Sequence, residues 1–191
     1  MSELLENGAP AARIQRPIAF IGFMGAGKSR VACEVAAHLD RVLIDLDEEI
    51  QSASGMSISE IFDRDGEPYF RTLERELLEE VLARDEPTVI ACGGGIVLDP
   101  HNARLLTRRA LVVYLQVTAK EVLRRIGTDT TRPLLTGIDG ADELATFIET
   151  RETLYDNLAD IRIQTAKRSV DEVVEAVLDS IKESEHGVFH A

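Results

Sequence analysis

Cysteine is scarce in this 191-residue chain: Cys33 and Cys92 are its two, with neither a metal-ligand spacing nor a disulfide framework between them. Both read as packing residues, Cys33 as a small buried hydrophobe of the first helix. Long apolar runs are also lacking. No stretch approaches the roughly 20 apolar residues that span a bilayer. The opening Met1-Ser-Glu-Leu-Leu-Glu-Asn-Gly-Ala-Pro10 is acidic, without the basic and apolar regions of a secretory signal, so a cytoplasmic protein is expected. Positive charge is in deficit, with 21 Lys and Arg against 34 Asp and Glu and a net charge of −13. That argues against the basic face a nucleic-acid partner requires. The four histidines, His38, His101, His186 and His190, form no cluster with a candidate nucleophile, and no Asn-Lys-x-Asp stretch suggests a GTP switch.

What is present fits one soluble α/β domain: 45% hydrophobic and 29% charged residues, in a chain long enough to bury a full core. Its organising stretch is Gly22-Phe-Met-Gly25-Ala26-Gly27-Lys28-Ser29, set between apolar Ile18-Ala-Phe-Ile21 and the helically spaced residues 30–39. Strand, glycine-rich turn and helix, in that order, are the context that the phosphate-loop pattern G-x-x-x-x-G-K-[ST] requires. The glycines let successive N–H groups turn onto an anion, and the helix adds the positive end of its dipole. Lys28 can reach the β and γ phosphates, and the Ser29 hydroxyl can ligate Mg²⁺.

Along the chain, apolar runs at 42–45, 88–91, 111–115 and 161–164 predict four further buried strands. Helical spacing lies between them, with capping boxes at Ser57-Ile-Ser-Glu60, Thr118-Ala-Lys-Glu121 and Ser169-Val-Asp-Glu172. Strands alternating with helices predict a five-stranded parallel sheet with helices on both faces. Residues 1–16 and 185–191 read as tails around a single domain, 17–184. Within it, about 46–75 reads as helical. Aperiodic 127–140 reads as a mobile lid.

Ligands of such sheets sit at the carboxyl ends of the strands, where the phosphate loop, Asp45-Leu-Asp47 and Gly93-Gly94-Gly95 all fall. Near a phosphate loop one aspartate can hold Mg²⁺ through water and another can accept the proton of an attacking hydroxyl. Alternatively, Asp47 caps the helix that follows it. The three glycines either give a ligand access to bare backbone or form a turn at positive φ. Arg71, Arg132 and Arg151, taken singly, are either surface charges or anion ligands.

In their order and context these motifs resemble the shikimate kinase family, from about Ile18 to the last helix. The likeness continues through Gly55-Met-Ser-Ile-Ser-Glu-Ile-Phe62, Gly66-Glu-Pro-Tyr-Phe-Arg71 with Glu74, Arg132-Pro-Leu-Leu135, and Arg151 with Leu154-Tyr155. That family comprises small P-loop kinases, similar in fold to nucleoside monophosphate kinases, that form shikimate 3-phosphate from ATP and shikimate on the route to chorismate. The resemblance implies ATP and Mg²⁺, the latter with Ser29 and Asp45. It gives Asp47 the acceptor hydroxyl, Arg71 and Arg151 the shikimate carboxylate, and Gly93, Gly94 and Gly95, through N–H of Gly94, a further substrate contact. Glu74 would orient Arg71, and about 46–75 would form a helical substrate-binding insertion. Arg132 would meet the γ-phosphate, Arg125 would flank adenine, and the 165–169 loop with Lys167 would close over the base. Arg30 stands where the family usually has Thr and would lie near the phosphates; Cys92 and Thr153 are further departures. A monomer is expected. Rival readings are a gluconate kinase-like enzyme and a non-catalytic nucleotide-binding module.

Overall fold

The computed structural model describes residues 15–84, 86–126 and 141–187. At its centre lie five strands: β1 Ile18–Ile21, β2 Val42–Asp45, β3 Thr88–Ala91, β4 Leu111–Gln116 and β5 Ile161–Gln164. All pair in parallel, in the order β2-β3-β1-β4-β5. The three inner strands are buried at every position except Gln116, as a sheet covered on both faces demands. The outer two differ from expectation. β2 starts at the surface, with Val42 57% exposed, and β5 alternates buried Ile161 and Ile163 with exposed Arg162 and Gln164. Each has a neighbour on one side only, so part of it is left to solvent.

Among the described residues seven α-helices flank the sheet: α1 Lys28–Leu39, α2 Leu46–Ser54, α3 Ile58–Ala83, α4 Pro100–Arg109, α5 Ala119–Ile126, α6 Ala141–Leu158 and α7 Val170–Gly187. Successive strand residues point to opposite faces, and the core divides accordingly. Ile18 and Phe20 join a cluster with Val35 of α1 and Val177 of α7. Ala19 and Ile21 join another with Leu78 of α3 and Leu106 of α4. A small third cluster, Ile50, Ile61 and Phe70, fastens α2 to α3. Among the described residues no helix is long and apolar enough to cross a membrane.

Local chemistry sets the helix ends. Ser57 with Glu60 and Ser169 with Glu172 form reciprocal capping boxes, and Asp99 caps α4 ahead of Pro100. At α5 the box is only half made: the Thr118 hydroxyl accepts from Glu121 N–H, while the Glu121 carboxylate turns to two arginines. α3 is two helical arms that meet at Gly66, where φ 81° and ψ 165° interrupt the helix in a conformation glycine alone adopts readily. Pro68 opens the second arm, where its missing N–H costs little. Cys33 departs from expectation. The buried stripe of α1 is Val31, Ala32, Val35 and Ala36, and Cys33 lies off it, exposed. Cys92 packs as read, and burial pushes its thiol pKa up.

In the register of the sheet Asp45 stands beside Ala91, and Ala91 beside Phe20. The strand ends carrying the phosphate loop, Asp45 and the three glycines are therefore level along one edge.

Candidate active site

The phosphate loop ends on Gly27, which caps α1 with φ 93° and no side-chain bond to the first turn, so that turn keeps N–H groups for an anion. The Lys28 ammonium folds over the loop, donating to the carbonyls of Gly22 (2.9 Å) and Phe23 (3.1 Å). Ser29 is exposed in the first turn. Arg30 is not brought to the loop. Its side chain is 71% exposed and runs along α1 to pair with Glu34 at 3.2 Å, one turn further on.

Asp45, not Asp47, is the N-cap of α2. Its Oδ1 accepts from the N–H groups of Asp47 (3.1 Å) and Glu48 (3.3 Å). Asp47 thereby sits in the first turn, half-buried, on the wall of a cavity of about 570 Å³. Arg71 and the three glycines face the same cavity, and Ile58, Phe62 and Phe70 give it an apolar side. These apolar groups come from the helical insertion, where helical spacing marked core positions without marking which would line a cavity.

Arg71 is held from two sides, donating from Nη1 to Glu74 Oε2 (2.8 Å) and from Nη2 to Glu67 Oε1 (2.9 Å). Glu74 is 0% exposed; burial raises its carboxyl pKa, and the Arg71 charge only partly offsets that. A Cβ at Gly93 would come within 2.6 Å of Glu74 Oε1 and 2.9 Å of Asp47 Oδ1, and one at Gly95 within 2.2 Å of Arg71 Nη2. At Gly94 the nearest atom would be 3.5 Å away. None of the three has positive φ. Gly93 and Gly95 are crowded by charged side chains, whereas Gly94 is not, and no turn at positive φ requires any of the three.

Arg151 of α6 is buried, 4.1 Å above the Phe147 ring, and its Nη1 has no hydrogen-bond partner among the described residues. Desolvation pulls its pKa down, partly offset by Tyr155, and the Arg71 charge pulls it the same way. The two guanidinium charges repel each other, a repulsion that an anion placed between them would relieve. One turn on, the Tyr155 hydroxyl donates to the Gly94 carbonyl at 2.5 Å.

A second cavity, about 320 Å³, lies between the loop residues Gly25 to Gly27, Arg124 and Arg125 of α5, and the 165–170 turn. Lys167 adopts φ 59° and is exposed, and of the two basic residues in that turn it is Arg168 that lines the cavity, beside Thr165 and Ser169. The sequence carries two adjacent basic residues there and no signal for which one faces inward. Among the described residues no group of three or more His, Cys, Asp and Glu could hold a metal. Any Mg²⁺ here would need phosphate oxygens and water besides Ser29 and Asp45. Arg132 and the expected lid lie outside the described residues.

A model of the shikimate kinase family matches residues 24–182. A shikimate kinase of Dehalococcoides mccartyi is 38% identical over 169 residues, covering 88% of this chain and 95% of its own. One of Francisella tularensis subsp. holarctica is 40% identical over 160 residues, covering 84% and 91%. The solved shikimate kinase from Acinetobacter baumannii in complex with shikimate superposes with a TM-score of 0.84 at 32% identity, covering 90% of this chain and 96% of that one. A gluconokinase from Sinorhizobium meliloti, with a TM-score of 0.57 at 18% identity, is alike in fold alone.

Proposed function

The chain belongs to the shikimate kinase family, and from that premise we propose that it transfers the γ-phosphoryl group of ATP to the 3-hydroxyl of shikimate, giving shikimate 3-phosphate and ADP. The observation that carries this reading is Arg151: a buried guanidinium with an unsatisfied N–H, repelled by Arg71, near a cavity that also holds Asp47. A hydroxy acid fits that arrangement, its carboxylate on the two arginines and its ring against Ile58, Phe62 and Phe70.

The reaction follows from positioning. Arg71, fixed by Glu74 and Glu67, presents a rigid fork that orients the acceptor carboxylate as well as holding it. The hydroxyl at the far end of the ring then meets Asp47, which accepts its proton as it attacks the γ-phosphorus. The N–H of Gly94 steadies the substrate from the glycine side. Lys28 exchanges the carbonyls of Gly22 and Phe23 for the β and γ phosphates, while the N–H groups of residues 27 to 29 take the remaining oxygens. Mg²⁺, when bound, neutralises charge on the β and γ oxygens. Ser29 would hold it directly. Asp45, whose Oδ1 already accepts two backbone bonds, would reach it through water. Holding both reactants in line is a large part of the acceleration such a site supplies. A single chain furnishes both cavities, which supports a monomer, and we place the activity in the cytoplasm.

The test is ADP release by the purified protein with ATP, Mg²⁺ and shikimate, gluconate or no acceptor. Turnover with shikimate alone is expected. Equal turnover with gluconate, or nucleotide binding without turnover on either acid, would overturn the assignment.

A further inference from the structure

We infer that Arg125 and Glu121 form a brace that fixes the shape of the phosphate loop, with Arg125 a positioning residue for the nucleotide's phosphates and Glu121 the carboxylate that aims it. The inference rests on the reading that this cavity takes ATP, and goes beyond a place for Arg125 beside the base.

One guanidinium ties together three segments far apart in the chain. Arg125 Nε donates to Glu121 Oε1 at 2.9 Å. Its Nη1 donates to the carbonyls of Gly25 (3.0 Å) and Ala26 (3.4 Å) and to Thr165 Oγ1 (3.2 Å), and Nη2 to the Thr165 carbonyl (2.8 Å). Thr165 is itself anchored, since its N–H and its hydroxyl both donate to the Gln116 carbonyl. The planar fork thus spans from the end of β5 to the loop.

Its effect on the loop follows from peptide geometry. In a trans peptide the carbonyl and the next N–H point in opposite directions. Drawing out the Gly25 carbonyl orients the Ala26 N–H, which closes the turn on the Phe23 carbonyl at 3.2 Å. Drawing out the Ala26 carbonyl turns the Gly27 N–H away from Arg125, at the end of the loop that leads into α1. The turn and the Gly27 N–H that an anion would use are thereby preset before it arrives, which lowers the ordering cost of binding.

Glu121 is built for this. It is buried, it accepts from both Arg124 and Arg125, and its backbone is fixed by the Thr118 cap. The hydrogen bonds from Arg124 and Arg125 hold its carboxyl down at about 2, so it stays charged throughout the physiological range.

The test compares ATP with inorganic tripolyphosphate, which has no base, by calorimetry on wild type, Arg125→Ala, Arg125→Lys and Glu121→Gln, alongside the KM for each substrate. Arg125→Ala is expected to weaken both ligands in parallel, by about tenfold. Arg125→Lys should not rescue, because a point charge cannot span the fork. Glu121→Gln should weaken both ligands by a smaller factor, and the acceptor KM should stay unchanged in every variant. Loss of ATP affinity with tripolyphosphate binding intact would overturn the brace and leave Arg125 acting on the base alone. Equal rises in both KM values would overturn it as general loss of structure. Failure of wild type to bind ATP would remove the nucleotide reading itself.

Discussion

The two cavities beside the phosphate loop are built by opposite means. On the proposed acceptor side the chemistry would be carried by side chains: Asp47, Arg71 and Arg151 come from three different helices, with Glu74 and Glu67 holding Arg71 in place. On the nucleotide side it is carried by backbone, with N–H groups presented by a glycine turn and a helix end, and carbonyls held back by Arg125. A backbone site needs room, so its weakness is an added atom. A side-chain site needs charge in a fixed place, so its weakness is a removed one. The glycine stretch 93–95 lies where the two styles meet.

The largest expected effect on this contrast is Asp47→Asn, which keeps shape and removes the base. It should lower kcat by about 100-fold or more with the acceptor KM near wild type; near-normal turnover in steady-state assays would remove Asp47 from the reaction. Next comes Arg151→Ala. A lost charge-assisted contact predicts an acceptor KM raised about ten- to a hundredfold with the ATP KM unmoved. Equal changes in both would refute carboxylate binding. Gly95→Ala sharpens the comparison at the meeting point, because its Cβ would fall 2.2 Å from Arg71 Nη2, whereas Gly94→Ala meets nothing nearer than 3.5 Å. The first should raise the acceptor KM by about tenfold, as a displaced Arg71 would; the second should be the milder change, and equal effects would show that crowding is not what selects glycine.

The smallest effect is on stability against pH. Glu121 titrates at about 2 in the folded protein against its ordinary 4.5, so between those values the unfolded chain binds more protons. Its stabilisation is complete above 4.5 and is lost as pH falls through about 2. Urea midpoints should therefore drop more in wild type than in Glu121→Gln between neutral pH and about pH 3. Parallel drops would show that the pair does not stabilise the fold.

The same division explains what could be read in the sequence. The strands, the helix caps and the phosphate loop were legible because each depends on residues close in the chain, and the alternation of strand with helix then implied the parallel sheet. Gly22 to Ser29 specify a backbone shape by themselves. Asp45 and Asp47 were both visible as candidates, yet their roles as cap and cavity wall turn on where α2 begins, a difference of one or two residues that spacing does not resolve. Arg30 looked poised for phosphate because the motif is local. Its side chain instead follows the helix surface to Glu34, which pairs with it one turn on. At the 165–170 turn, a left-handed Lys167 sends its neighbour Arg168 to the cavity, an outcome fixed by backbone conformation rather than residue type. The several bonds of Arg125 join positions 40 and 100 residues apart, beyond any local pattern.

The bond from the Tyr155 hydroxyl to the Gly94 carbonyl has an optical consequence. The chain has no tryptophan and only three tyrosines. Tyr69 is exposed, while Tyr114 and Tyr155 are buried and stacked, their ring centroids 5.0 Å apart. Burial also pushes the Tyr155 phenol up to about 12, so it remains protonated at any pH at which the enzyme works. The tyrosine part of the near-ultraviolet dichroism is therefore expected to be dominated by a ring pair bonded to the cavity wall. An acceptor seated against Gly94 should alter that signal without any attached dye, and Tyr155→Phe should silence it.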